Sequence, residues 1–164
     1  MKKVICVFLF VLFFLSNAVA DQPYRVFDNA GLCTDEENEK IKERIVEFRQ
    51  KHKIDFSVLT TNDLITYDKQ DLIAAIFYES MEIGVGQHND GAVLFIDAYT
   101  GRHFILPQGN LLVDVAITME DLTEINKESN AIFQEGRFYE GIIHAIDMLD
   151  SYIDKYWKEQ LSGV

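Results

Sequence analysis

The stretch from Ile83 to Gly109 constrains the fold more than any other part of the chain. A loop containing Gly84, Gly86 and Gly91 runs into the apolar segment Ala92–Ile96. Tyr99-Thr100-Gly101 then turns the chain back, and Arg102–Leu106 returns before Pro107. Glycines spent so densely before a strand point to backbone geometry that a Cβ would resist. Ala92–Ile96 is almost continuously apolar, which marks a central strand covered on both faces. Pro107 is expected to end the returning strand.

The flanking segments supply the covering layers. Tyr24–Phe27 is a short strand candidate, broken by Asp28-Asn29-Ala30-Gly31. Thr34 opens a helix: Thr34 and Glu37 have capping-box spacing, and Asp35, Glu36 and Glu37 sit at the positive end of the helix dipole. Ile41, Ile45 and Phe48 recur at helical spacing until His52-Lys53. Ile54–Thr60 alternates as a strand, and Thr61-Asn62-Asp63 turns. A second helix is expected from Lys69 to Ile83, with Leu72, Ile73, Ala74, Ile76 and Phe77 apolar and Gly84 as its stop. Leu111–Ile117 is apolar but ambiguous. From Met119 the pattern is helical, interrupted at Gly136, and the last helix carries Phe138, Ile142, Ala145, Leu149 and Ile153 on one face. The order β-α-β-α-β-β-α-α predicts an α/β fold. We expect a three-layer α/β/α sandwich around a mixed sheet of about four strands, parallel through its crossovers and antiparallel at the hairpin.

The first twenty residues read as a signal peptide. Lys2 and Lys3 precede the apolar run Val4–Leu15, and Ala18-Val19-Ala20 has the form of a cleavage site. That run is shorter than the ~20 residues a membrane span needs, with retention as an uncleaved anchor the alternative. The expected organisation is a signal peptide over 1–20, one α/β domain over 21–158 and a flexible tail over 159–164. The expected location is outside the cytoplasm: periplasmic, cell-envelope or secreted. Losing Lys2 and Lys3 makes the mature chain two units more negative than the −12 of the full sequence. That charge argues against nucleic acid and anionic membrane surfaces as partners and is compatible with divalent cations. Cys6 leaves with the signal, so Cys33 remains and no intrachain disulfide is possible.

Three aspartates are candidate metal ligands. If the first three strands are parallel, Asp28, Asp63 and Asp97 follow their carboxyl ends along one edge, where open α/β sheets bind ligands. Three carboxylates there suit a hard cation such as Ca²⁺ or Mg²⁺, which in turn clamps a phosphoryl group. The competing reading is structural: aspartate is frequent in turns because it bonds nearby backbone, and Asp97 has Arg102 across the hairpin. Asp90, at the opposite edge beside Gly91 and Gln108-Gly109, is the rival site. Cys33 precedes a helix N-terminus, which lowers a thiol pKa, or else it is a small buried hydrophobe. The four histidines show no metal-ligand spacing, His144 belongs to a core-facing helix, and no Ser or Cys sits in a nucleophile elbow.

Val26-Phe27-Asp28-Asn29-Ala30-Gly31-Leu32 resembles the V-x-D-x-A-G-L opening of the TPM domain. That domain is shared by exported bacterial proteins and a plant thylakoid lumen protein of photosystem II repair. Ile83-Gly84, Asn89-Asp90-Gly91 before an apolar strand, Arg102, Gly109 and Gln134-Glu135-Gly136-Arg137-Phe138-Tyr139 follow in the family's order. Gln108-Gly109 stands where the family usually has T-G. The resemblance implies an α/β/α sandwich outside the cytoplasm and, for some members, calcium binding and weak acid phosphatase activity. It leaves two functions open. One is a divalent-cation-binding accessory or interaction module of the cell envelope, with an envelope protein as partner. The other is a metal-assisted acid phosphatase acting on phosphomonoesters.

Overall fold

A computed structural model describes residues 26–63, 90–109, 111 and 117–162, together with Lys69, Ala74 and Phe77. Its elements are β1 (Val26–Asp28), α1 (Asp35–His52), β2 (Asp55–Thr61), β3 (Gly91–Asp97), β4 (Arg102–Gln108), α2 (Met119–Gln134) and α3 (Phe138–Ser162). The segment expected to be a signal peptide, most of the helix expected over 69–83, and residues 112–116 lie outside the described residues. Lys69, Ala74 and Phe77 are each helical.

The strands lie in the order β1-β2-β3-β4, with β1, β2 and β3 parallel and β4 antiparallel to β3. Register fixes which side chains share a face. Val26, Val58, Leu94 and Ile105 are aligned across the sheet, and so are Phe27, Leu59, Phe95 and Phe104. The first set packs under Ile41, Ile45 and Phe48 of α1, Leu122 and Ile125 of α2, and Ile142, Ile146, Leu149 and Ile153 of α3. The second set packs with Ala74 and Phe77. The Phe27 and Phe77 rings meet edge-on at 4.8 Å, and Phe95 stacks on Phe104 at 5.2 Å. Helical residues therefore cover both faces, as the apolar run of β3 required. Every residue of β2 and β3 is buried.

Local chemistry sets the ends of the elements. Thr34 and Glu37 form the expected capping box, with Thr34 Oγ1 accepting the Glu37 amide at 3.2 Å and Glu37 Oε2 accepting the Thr34 amide at 2.7 Å. Thr118 and Asp121 repeat the device at α2. Pro107 does not end the returning strand, since β4 continues to Gln108. Proline is tolerated there because β4 is the edge of the sheet. That edge is partly closed by α2: Asn126 Oδ1 accepts the Ile105 amide at 3.2 Å, and the Asn126 carbonyl lies 3.0 Å from His103 Nε2. α3 runs on to Ser162, into the segment expected to be a tail. Among the described residues no helix is long and apolar enough to cross a membrane.

Candidate functional site

The parallel order of β1, β2 and β3 puts Asp28, Asp63 and Asp97 along the same carboxyl edge. The edge is shared, but the carboxylates do not converge. Asp28 aligns with Thr60 and Thr60 with Ile96, whereas Thr61 aligns with Asp97. Side chains alternate along a strand, so Asp28 and Asp97 project to opposite faces of the sheet.

Asp28 is occupied by the fold. Its Oδ1 accepts the Leu32 amide at 3.0 Å and the Thr60 hydroxyl at 2.6 Å. Its Oδ2 accepts the Cys33 amide at 2.9 Å and the Asn38 side-chain amide at 3.4 Å. A carboxylate has about four lone-pair positions, and all four are taken. Thr60 Oγ1 also accepts the Ala30 amide at 3.0 Å, and Asn62 donates to the Ala30 carbonyl at 3.1 Å. The loop 29–33 is thus bolted to the end of β2. Partial burial pushes the Asp28 carboxyl up, but the donors Thr60, Leu32, Cys33 and Asn38 outweigh it and hold the group below its ordinary value.

Asp97 is fully buried. Its Oδ1 accepts the amides of Tyr99 at 2.9 Å and Thr100 at 3.1 Å, which shapes the hairpin turn. Beside it lies a cavity of about 110 Å³, bounded among others by Asp97, His103, Asn130, Phe133 and Phe138. No serine or cysteine lines it among the described residues. Asp63 is exposed, two residues beyond Thr61, and its amide donates to Thr61 Oγ1 at 3.0 Å. Asp63 therefore follows Thr61, the register partner of Asp97, at one rim of the edge. Their donors are oxygens alone, which is the chemistry of a hard cation. Asp28 does not fit that set, because its lone pairs are filled.

The rival edge is a structural junction. The Asp90 carbonyl accepts the Asp55 amide at 3.1 Å, and the buried Asp55 carboxylate sits 2.7 Å from Arg49 Nε. Cys33 is half-buried and packs against the core. Burial, together with the charges of Asp28, Glu37 and Glu140, pushes its thiol up to about 12. The activated-thiol reading is thereby set aside in favour of the small hydrophobe. Cys33 in the folded protein should react with iodoacetamide at pH 8 more than about tenfold more slowly than a free cysteine, because the thiolate is the nucleophile. Labelling followed by mass spectrometry checks this, and a rate matching free cysteine would refute it.

The described histidines have separate surroundings. His88 lies outside the described residues. His144 is near Glu128 Oε2 at 3.1 Å, on the α2 side of α3. His52 belongs to a charged cluster that sequence spacing did not disclose. Arg44 Nε contacts Asp147 at 2.8 Å, and its Nη2 contacts Asp150 Oδ2 at 2.7 Å. Lys51 Nζ reaches Asp150 Oδ1 at 2.7 Å and Asp154 Oδ2 at 2.8 Å. His52 Nε2 also meets Asp150 Oδ1. Burial pushes the Asp150 carboxyl up, but His52, Lys51 and Arg44 together hold it far below the usual range. The available signal was the helical spacing of Arg44, Lys51 and His52 on one helix and of Asp147, Asp150 and Asp154 on another. Only packing makes the two stripes meet.

Comparison with known proteins identifies the architecture. The sequence pattern of the TPM domain matches residues 26–152. Three solution structures share the fold. The N-terminal domain of a P. gingivalis protein superposes with a TM-score of 0.68 at 20% identity, covering 85% of this chain and 87% of that one. The BA42 protein of the psychrophilic bacterium Bizionia argentinensis gives 0.61 at 16% identity, covering 75% and 82%. The N-terminal domain of the cg2496 protein of Corynebacterium glutamicum gives 0.60 at 11% identity, covering 80% and 81%. No functionally curated protein matches the chain.

Proposed function

The chain belongs to the TPM domain family, and on that premise we propose that it is a divalent-cation-binding accessory or interaction module working outside the cytoplasm. The observation that carries this reading is the rim where Asp63 and Asp97 flank Thr61 at the carboxyl edge of the sheet. Calcium is the proposed ion. It takes oxygen ligands and tolerates irregular geometry, and the strongly negative chain favours its approach. Asp63 and Asp97 are the proposed ligands. Asp28 holds the neighbouring loop rather than the ion. Export is supported by the signal-peptide pattern of residues 1–20, and the proposed partner is an envelope protein.

A binding role is favoured over catalysis by the chemistry of the cavity. Its described lining offers a turn-capping aspartate, a histidine bonded to a backbone carbonyl, an asparagine and two phenylalanines. Covalent catalysis needs an activated nucleophile; here Asp97 is engaged by the turn amides and His103 by the Asn126 carbonyl, with no general base set beside either among the described residues. Metal-assisted phosphomonoester hydrolysis is the alternative that a test must separate.

Calcium titration by calorimetry is expected to give saturable binding to the wild type. Affinity should fall at least about tenfold in an Asp63→Asn, Asp97→Asn double variant, because charge and ligand number set Ca²⁺ affinity. Asparagine retains an acceptor for the Tyr99 and Thr100 amides, so the turn is preserved. A phosphomonoester assay on both proteins should stay at background. Turnover lost with the same substitutions would establish the enzyme instead. Absence of calcium binding to the wild type would remove the cation reading.

A further inference from the structure

The junction of α1 and α3 is a second cluster of ligating side chains, at the opposite end of the sheet from Asp63 and Asp97. His52 is the last residue of α1, and β2 begins at Asp55, so the cluster lies toward the amino end of β2. A ring nitrogen of His52 and one carboxylate oxygen each of Asp150 and Asp154 lie within 4.8 Å of one another. Small side-chain rotations bring such a set to the ~3.3 Å separation of ligands around a tetrahedral zinc-sized ion, whose bonds are about 2.0–2.1 Å. Asp150 and Asp154 are spaced i, i+4, which turns both toward the same point beside α3.

The surroundings suit an ion as well. The His52 side chain is 3% exposed, and its ring lies against Phe48 at 5.0 Å between centroids. The ring is thereby held in one place before any ligand arrives. Arg44 grips Asp150 Oδ2 at 2.7 Å and leaves Oδ1 directed at the cluster. Hydrogen-bonded ligating carboxylates are the normal outer-shell arrangement of metal sites. The position an ion would take is now filled by a cation, the Lys51 ammonium, which bridges Asp150 and Asp154. Lys51 is 45% exposed, so its flexible stem can carry the ammonium out into water. With Lys51 withdrawn, a dication takes over the carboxylate charge of Asp150 and Asp154 that the ammonium had balanced.

We propose that His52, Asp150 and Asp154 bind a first-row transition-metal dication of the zinc class, with Lys51 as the competing internal cation. The nitrogen ligand sets this site apart from the calcium reading, since hard cations take oxygen and imidazole suits zinc and its neighbours. The two proposals stand independently.

The test is Zn²⁺ titration of the full chain by calorimetry. The expected result is saturable binding of one ion. His52→Gln and the more exposed Asp154→Asn should each weaken it at least about tenfold, the scale on which ligand-shell changes act. Lys51→Ala should tighten it, and Asp63→Asn with Asp97→Asn should leave it unchanged. Circular dichroism of each variant reports folding, and Asp154→Asn serves where His52→Gln does not fold. No saturable binding to the wild type overturns the proposal, even if Lys51→Ala binds. Binding unchanged in a folded His52→Gln or in Asp154→Asn overturns it as well.

Discussion

Asp28→Ala should destabilise the protein by about 3 kcal/mol, visible in chemical or thermal unfolding. The substitution removes the acceptor of the Leu32 and Cys33 amides, the Thr60 hydroxyl and the Asn38 side chain at once. A hydrogen bond to a charged group contributes about 1.5–3 kcal/mol, and a buried donor left without a partner costs about 1–3. Asp28 is only half-buried, so water regains some of these donors and the sum stays well below four full penalties. An unfolding midpoint within about 1 °C of wild type would contradict the proposed knot.

The same knot predicts a pH dependence. The folded-state value of Asp28 lies below its ordinary 3.8. The unfolded chain therefore binds the proton more readily than the folded one. The contribution to stability is complete above the unfolded value and is lost as pH falls through the folded one. Asp150 shifts in the same direction and adds to the acid limb. Asp28→Asn should flatten the loss of stability between about pH 5 and 2, leaving the Asp150 share in place.

Gly141→Ala should destabilise by about 2 kcal/mol, the usual scale of overpacking a filled core. In an open helix the same change would stabilise by ~1 kcal/mol through helix propensity, so the sign alone is diagnostic. A Cβ at position 141 would stand 2.4 Å from Phe133 Cε1 and 2.5 Å from Phe133 Cδ1. The ring has little room to yield. It is 7% exposed, meets His103 edge-on at 4.8 Å and stacks on Phe138 at 5.9 Å. Gly141 is what lets α2 and α3 close tightly after the turn at Gly136, where φ is +74°. Phe133→Leu should relieve the clash, so the double variant should be more stable than the sum of the single effects implies. A Gly141→Ala protein more stable than wild type would show that Phe133 moves freely.

Elements whose signals are local could be read along the chain. Apolar Ala92–Ile96 required cover on both faces, and β3 is buried at every position. Thr34 with Glu37 marked the start of α1, because a capping box is closed within four residues. The order of elements placed the carboxyl ends of β1, β2 and β3 on one edge, since β–α–β crossovers force parallel strands. Tertiary structure decided what depends on register and distance. Sequence could not show that Asp28 and Asp97 face opposite sides, because a one-residue shift in register reverses every side chain. It could not show that Pro107 lies within a strand, because that depends on β4 being an edge. Nor could it bring His52 to Asp150, which lies on another helix 98 residues away. Elements are written in neighbours along the chain, whereas the roles of these aspartates and histidines are set by neighbours in space.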